Sequence, residues 1–309
     1  MSPTGSPPST RRTRRDRCPG VLRPWPAEDG LLVRLRLIGG RVGASSLRAL
    51  AAVAERYGSG RVHVTGRANL QLRALPGNAG RLGPEVVRAL AETGLLPSVS
   101  HELVRNVMVS PGTGTAGTAG AGPGGGRADL RPVASDLDTM LCSVPRRADL
   151  PGRFLFVLDD GRGDLVGHPC DLGLVALDGG VAQLRIGEGW GPLVPVGEAP
   201  AALLRLADAF LDRRGEGPAA PWHVAELPAP LAGPAEPDRR LPPPAPPLPY
   251  GPLPGGARHV RVPDGGLDRP AAEALAEEAL ASGSGELVVT PWRGVLVPGG
   301  SVSAPGEAR

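Results

Sequence analysis

The sequence contains no lysine; all 34 of its basic residues are arginine. Schiff-base and other amine chemistry is thereby excluded. Every cationic site must be a guanidinium, whose planar fork suits carboxylates and phosphates. Aromatic residues make up only 3% of the chain, so its cores have to come from Leu, Val and Ala. Cysteine occurs three times, at Cys18, Cys142 and Cys170. Such an odd, scattered set is not a disulfide framework, and it offers no paired metal-ligand spacing. No apolar run approaches the ~20 residues that span a bilayer. The opening MSPTGSPPSTRRTRRDR is polar and basic and reads as no export signal, so the expected compartment is a reducing cytoplasm. Gly-x-Ser-x-Gly is absent, which leaves serine hydrolase chemistry without support.

Glycine and proline, in contrast, are abundant at 46 and 37 residues. Ala, Gly, Pro and Arg rise together, as codon bias produces. The length of 309 residues allows about two domains, and a hydrophobic fraction of 41% can fill them. The net charge of +3 is local: residues 11–17 hold five Arg and one Asp, a +4 that leaves the rest at −1. A nearly neutral body makes a nucleic-acid binder working through the basic tail the weakest reading.

The stretch 31–37, LLVRLRL, alternates with Val33, Leu35 and Leu37 on one face and Arg34 and Arg36 on the other, which predicts a half-buried strand. A helix follows with Ser45 or Ser46 as its cap, Leu47, Leu50, Ala51, Ala54 and Tyr57 as its buried stripe, and Gly58 at its end. RVHVT at 61–65 and NLQLR at 69–73 read as two more strands. Pro84 opens a further helix with Val87, Leu90 and Ala91 inward. The order β-α-β-β-α is most of a ferredoxin-like unit. The same pattern returns late in the chain, as ARHVRVPDGG, a helix over 269–282, Gly-Ser-Gly and ELVVT. Gly58-Ser59-Gly60 and Gly283-Ser284-Gly285 lie 225 residues apart, as do Thr65 and Thr290. VTGRANLQL is echoed by VTPWRGVLV, with Arg67 and Arg293 out of step by one. This predicts an internal duplication whose second copy stops after its third strand.

The predicted class is α+β, with duplicated ferredoxin-like half-domains flanking a middle α+β domain. The expected segments are a basic tail at 1–17, a first half-domain at 18–109 and a Gly-rich loop at 110–127. A middle domain at 128–227, a Pro-rich linker at 228–256, an incomplete second half-domain at 257–300 and a tail at 301–309 complete the chain. In the middle block, 172–187 reads as a hairpin, Leu203 to Leu211 as a helical stripe and Trp222 to Leu227 as a returning strand. The Gly-rich loop is no phosphate loop, because that motif requires a lysine.

CPGVLRPWPAEDGLLVRLRLIGG, RVHVTGRANLQLR and RNVMVSPG together resemble the nitrite/sulfite reductase family. GRFLFVLDDGRGD and VTPWRGVLVPG resemble more narrowly its precorrin-3B synthase branch, which serves cobalamin synthesis. The resemblance implies a sirohaem-type middle domain, sirohaem coupled to a 4Fe–4S cluster, and oxidoreductase activity on an anionic tetrapyrrole. It places tetrapyrrole contacts at Arg67 and Arg105, with Asn69, Gln71 and Asn106 beside them. Arg153 falls where the reductases place the first of two lysines. The second falls near Leu155, a departure that favours the synthase branch. A polycarboxylate pigment needs matched cations, and guanidinium forks supply them. The cluster cysteines of the family have no match beyond Cys170, so this chain alone is expected to bind no metal. A partner chain carrying the remaining part, or a non-catalytic sirohaem- or precorrin-binding role, are the consequent expectations.

Other polar residues read more plainly. Asp159, Asp160 and Asp164 are expected to cap backbone amides of a tight turn. His168 and Cys170 belong to a loop, His63 and His101 to a strand and a loop, and His223 to core packing.

Overall fold

The computed structural model describes residues 18–114, 125–217 and 219–299. The expected tails at 1–17 and 301–309 and most of the Gly-rich stretch lie outside the described residues. The first lobe runs β1 (Trp25–Ala27), β2 (Gly30–Leu35), β3 (Arg41–Gly43), α1 (Ala44–Tyr57), β4 (Val62–Val64), β5 (Leu70–Leu75), the small hairpin β6 (Gly77–Asn78) and β7 (Arg81–Leu82), and α2 (Pro84–Glu92). The middle domain holds β8 (Val107–Val109), α3 (Arg131–Cys142), β9 (Phe156–Asp159), β10 (Leu172–Ala176), β11 (Val181–Ile186), β12 (Gly189–Pro195) and α4 (Ala199–Arg214). The second lobe holds β13 (Gly251–Pro252), β14 (Arg258–Arg261), β15 (Gly266–Leu267), α5 (Arg269–Ala281), β16 (Glu286–Thr290) and β17 (Gly294–Val297). Among the described residues no helix is long and apolar enough to cross a membrane.

The lobes are built on one pattern and trade strands. The first sheet is ordered β1-β2-β5-β4-β15 and the second β13-β14-β17-β16-β3, so each lobe lends a short edge strand to the other. The registers repeat at a constant offset of 225. Leu267 lies opposite Val62 as Leu287 lies opposite Val42, and Val260 opposite Val295 as Leu35 lies opposite Leu70. The turns repeat too. Thr65 Oγ1 accepts the Asn69 N–H at 3.2 Å, and Thr290 Oγ1 accepts the Gly294 N–H at 3.2 Å. Ala68 and Arg293 hold matching positive φ values of 54° and 61°. Arg293 therefore corresponds to Ala68, and the apparent echo of Arg67 is one residue off in space as in sequence. One continuous apolar core joins both sheets to α1, α2 and α5. The strand alternation that buries Val33 and Leu35 turns Arg34 to the opposite face.

The middle sheet is ordered β12-β11-β10-β9-β8, with β8, β9 and β10 parallel. Phe154, Phe156 and Phe210 pack under α3 and α4 on one face. Met108, Leu155, Val157 and Leu165 line the other, against Trp292 from the second lobe.

Several expectations need correction. The α1 cap is Gly43 rather than Ser45 or Ser46, and no side chain caps it. The Ala44 N–H instead reaches the Gly285 carbonyl of the other lobe, 2.9 Å away, so the strand exchange serves as the cap. In α2 Val86 and Leu90 are buried and Val87 packs partly buried against the same core, whereas Ala91 is exposed. Val107–Val109, assigned above to the first half-domain, pairs with β9 because its three residues are all buried and suit a sheet covered on both faces. Trp222 to Leu227 holds a 3-10 turn at Val224–Glu226 in place of a strand. The second lobe begins at β13, before residue 257. The Pro-rich segment is not a free spacer. Its Ala245 N–H donates to the Gly163 carbonyl at 2.9 Å, its Asp238 N–H to Gln183 Oε1 at 2.8 Å, and Leu248 and Leu253 cover Val288 and Leu296.

Candidate functional site

The polar face of the first sheet meets the middle domain at a cluster of guanidiniums. Arg34 on β2 stands opposite Gln71 on β5, and its Nη2 donates to Gln71 Oε1 at 3.3 Å. Its Nε is buried with no partner. Burial pushes this guanidinium below its ordinary value. Nearby Cys18 opposes that shift, and the like charges of Arg67 and Arg153 add to it. Arg67 sits in the β4–β5 turn that Thr65 and the left-handed Ala68 define, and its Nη1 donates to the Arg153 carbonyl at 3.0 Å. The Arg153 guanidinium lies 5.3 Å from the centre of the Trp222 ring. Among the described residues no carboxylate pairs with Arg34 or Arg67. Like charges gathered at a domain junction, one carrying an unmet buried donor, call for an anion.

Three of the sequence-expected residues do not join this cluster. Asn69 is 1% exposed, and its Oδ1 accepts the Leu37 N–H at 2.9 Å. Asn106 is equally committed: its Oδ1 accepts from Arg36 Nε at 2.8 Å, and its Nδ2 donates to the Gly152 carbonyl at 2.9 Å. Arg105 makes a two-pronged pair with Asp138 of α3, both bonds 2.7 Å. It lines a separate cavity of about 610 Å3 with Arg41 and Arg131. There Arg41 meets Glu286 and Arg131 meets Asp129, so three of the four arginines lining this larger space are ion-paired. Arg67, Gln71 and Arg153 are thus brought together around Arg34, which sequence reasoning had left on a solvated face. Its signal was the alternation itself, which placed Arg34 beside Gln71's strand face without showing what covers it.

A second pocket, of about 550 Å3, opens from Arg67 into the middle domain, lined by Leu155, His168, Cys170, Asp171, Arg185 and His223 among others. Asp171, 3% exposed, accepts the N–H groups of Leu155 and Val224, each at 2.9 Å, and lies 3.3 Å from His223 Nδ1. The His223 side chain is 34% exposed, so it is a partnered pocket residue and not core packing. Arg185 is buried, and its Nη1 and Nη2 donate only to the Leu165 and His168 carbonyls, at 3.4 and 3.1 Å. Burial, and then the Arg185 charge, push the His168 imidazole down. Burial lifts the Cys170 thiol to about 11.

The tight turn after β9 holds Asp159, Asp160 and Asp164 with oxygens within 4.8 Å of one another. As expected, Asp159 accepts the N–H groups of Gly161, Gly163 and Leu165. Asp160 pairs with Arg162 through two bonds of 2.8 and 2.7 Å.

The donor set fits an anionic pigment but not a 4Fe–4S cluster. Cys18 is buried, Cys142 Sγ donates to Asp138, and Cys170 Sγ donates to the Gly187 carbonyl. Apart from the aspartate turn, no group of three potential metal ligands exists among the described residues, so the three thiols are not gathered.

Residues 25–82 match the nitrite/sulfite reductase ferredoxin-like half domain. The chain is 31% identical over 160 residues to a precorrin-3B synthase from Sinorhizobium sp., across 51% of this chain and 31% of that protein. The structure of the Mycobacterium tuberculosis NirA protein shares its fold with a TM-score of 0.66 at 20% identity, over 88% of this chain and 54% of that one. The chain thus spans under a third of the length of the first relative and about half of the second.

Proposed function

From its kinship to the nitrite/sulfite reductase family, we propose that this chain is the tetrapyrrole-holding part of a precorrin-3B synthase-like oxidoreductase of cobalamin synthesis. The observation that carries this reading is the cluster of Arg34, Arg67 and Arg153 at the junction of first lobe and middle domain, with the buried Arg34 Nε unmet. A tetrapyrrole bearing carboxylate arms supplies the counter-charge that Arg34 and Arg67 lack among the described residues. Arg67 and Arg34 bind its arms, Gln71 fixes Arg34, and Leu155 lends an apolar side to the pocket that Arg67 lines. Sirohaem, when bound, would supply the redox chemistry. The residues here do not ligate the family's cluster, so its ligands would come from polypeptide outside these residues or from a partner chain. None of the three cysteines forms a disulfide among the described residues, which suits a cytoplasmic setting.

The scattered cysteines favour one second reading, a non-catalytic carrier that holds sirohaem or a precorrin through the same arginines. The two readings share a first test. Fluorescence titration with uroporphyrin, an octacarboxylate tetrapyrrole, should show binding that Arg67→Ala weakens roughly tenfold, the scale of one charge-assisted pair. Equal affinity in parent and variant would remove Arg67 from the site. Sirohaem bands after co-expression with cluster-assembly proteins, without cluster absorbance, would select the carrier.

A further inference from the structure

The pocket below Arg67 has features that clamping a ring edge does not require. Its lining includes the buried Arg185, whose side-chain bonds run to the neutral Leu165 and His168 carbonyls. A guanidinium kept from water with only neutral acceptors retains an unmet charge. Asp171 lines the same pocket, pinned by two backbone N–H groups and facing His223 Nδ1. A carboxylate held in that way fixes the imidazole so that Nδ1 carries the hydrogen and Nε2 is the free position.

We propose that this pocket is a proton-coupled subsite for a single carboxylate arm, seated between Arg67 and Arg185 and touched by His223. The inference rests on the tetrapyrrole reading for the identity of the natural ligand, but the subsite itself needs only a carboxylate. The charge arithmetic sets the coupling. With Nδ1–H given to Asp171, a neutral His223 presents a lone pair at Nε2, which repels an arriving carboxylate. For Nε2 to donate, a proton from solvent must form an N–H bond there while the carboxylate stays ionised. Binding one arm therefore takes up a proton. The other titratable or charged groups around the ring are His168 and Cys170 in the loop before β10, Arg185 on β11, Glu188 in the following turn, Arg67, and Glu226 on the 3-10 turn, whose carboxylate accepts the Trp222 N–H. Burial and Arg185 disfavour a charged His168, and burial disfavours a Cys170 thiolate, so neither competes with His223 for the role.

The test uses the whole chain and propionate, a lone carboxylate arm. The five histidines give a short list of ring resonances in 1H–13C spectra, and His223→Gln identifies the one that matters. Propionate should move the His223 resonance in the imidazolium direction and saturate. Arg185→Gln should weaken that response at least tenfold. Arg67→Gln, at the exposed mouth, serves the same purpose if the buried substitution does not fold. An unresponsive His223 in the parent, or a response unchanged in a folded variant, overturns the proposal. Uroporphyrin titration separates the two claims. A chain that answers propionate but does not bind uroporphyrin keeps the subsite and loses the tetrapyrrole reading, whereas the reverse result keeps the reading and removes the subsite.

Discussion

Replacing Asp164 with asparagine should flatten the dependence of stability on pH. Asp164 is buried, and among the described residues its carboxyl accepts one hydrogen bond, from the Ser110 hydroxyl at 2.6 Å. Asp159, its neighbour, is held as an acceptor by three N–H groups, and Asp160 is matched by Arg162. The proton of this crowded turn therefore resides on Asp164. Burial first, and then the Asp159 charge, lift its carboxyl to about 8, against the opposing pull of Ser110 and Arg162. In the unfolded chain it titrates near ~3.9. Between these values the folded state holds a proton that the unfolded state has released, so stability is greatest below pH ~4 and is lost as pH rises to about 8. The slope is about 1.4 kcal/mol per pH unit, easing near the upper end, which gives a loss of roughly 1.5–2 kcal/mol between pH 6.5 and 8. Asp159 shares that window, because burial lifts its carboxyl against its three backbone N–H bonds and the Asp160 charge adds to the rise; the remaining shifted groups fall outside it. His63, His168 and His259 are all held below their ordinary value, chiefly by burial, so their cost appears as pH falls below ~6.5. Cys170, raised to about 11, acts only above pH ~8.5. Urea midpoints followed by circular dichroism should fall across the window in the parent and fall less steeply in Asp164→Asn, which keeps the shape and an acceptor for Ser110. A level parent curve, or equal slopes in the two proteins, would refute the assignment of the proton.

Two further outcomes follow from the packing. Gly40→Ala should destabilise by at least about 2 kcal/mol, since φ is 73° and a Cβ there would stand 2.1 Å from the Val289 carbonyl oxygen of the other lobe; a thermal midpoint within 2 °C of the parent would contradict this. Cys170, with its thiol near 11, should be only ~0.1% thiolate at pH 8, so mass spectrometry after brief maleimide treatment should find it largely unlabelled, and rapid labelling would show the site to be open.

Where periodicity decides burial, the sequence was a reliable guide. The Leu203 to Leu211 stripe is buried along α4, and the 172–187 hairpin forms with Asp178 accepting the Gly180 and Val181 N–H groups. The duplication was legible because turn chemistry repeats: Thr65 and Thr290 do the same work at the same spacing. The exchange of β3 and β15 was not legible. Strands of three and two residues carry no readable alternation, and their partners lie more than 200 residues away. The site was half legible. Arg67 and Arg153, both singled out from the sequence, meet across 86 residues, where the Arg67 guanidinium donates to the Arg153 carbonyl. Arg105 carries the same motif support, but Asp138, on a helix not anticipated from the sequence, claims it. His223 and Arg185 gave no local signal, because their meaning lies in a pocket assembled from five separate segments.

The reciprocal loan of edge strands has a consequence for how the protein can be dissected. Neither lobe owns all five strands of its sheet, so either one expressed alone would present a bare β edge where its sibling's strand belongs. The two are better regarded as an intramolecular dimer, tethered by everything between Glu92 and Gly251. Severing that tether within the surface-bound proline run should leave two pieces that find each other in solution, whereas removing either piece should leave the other insoluble.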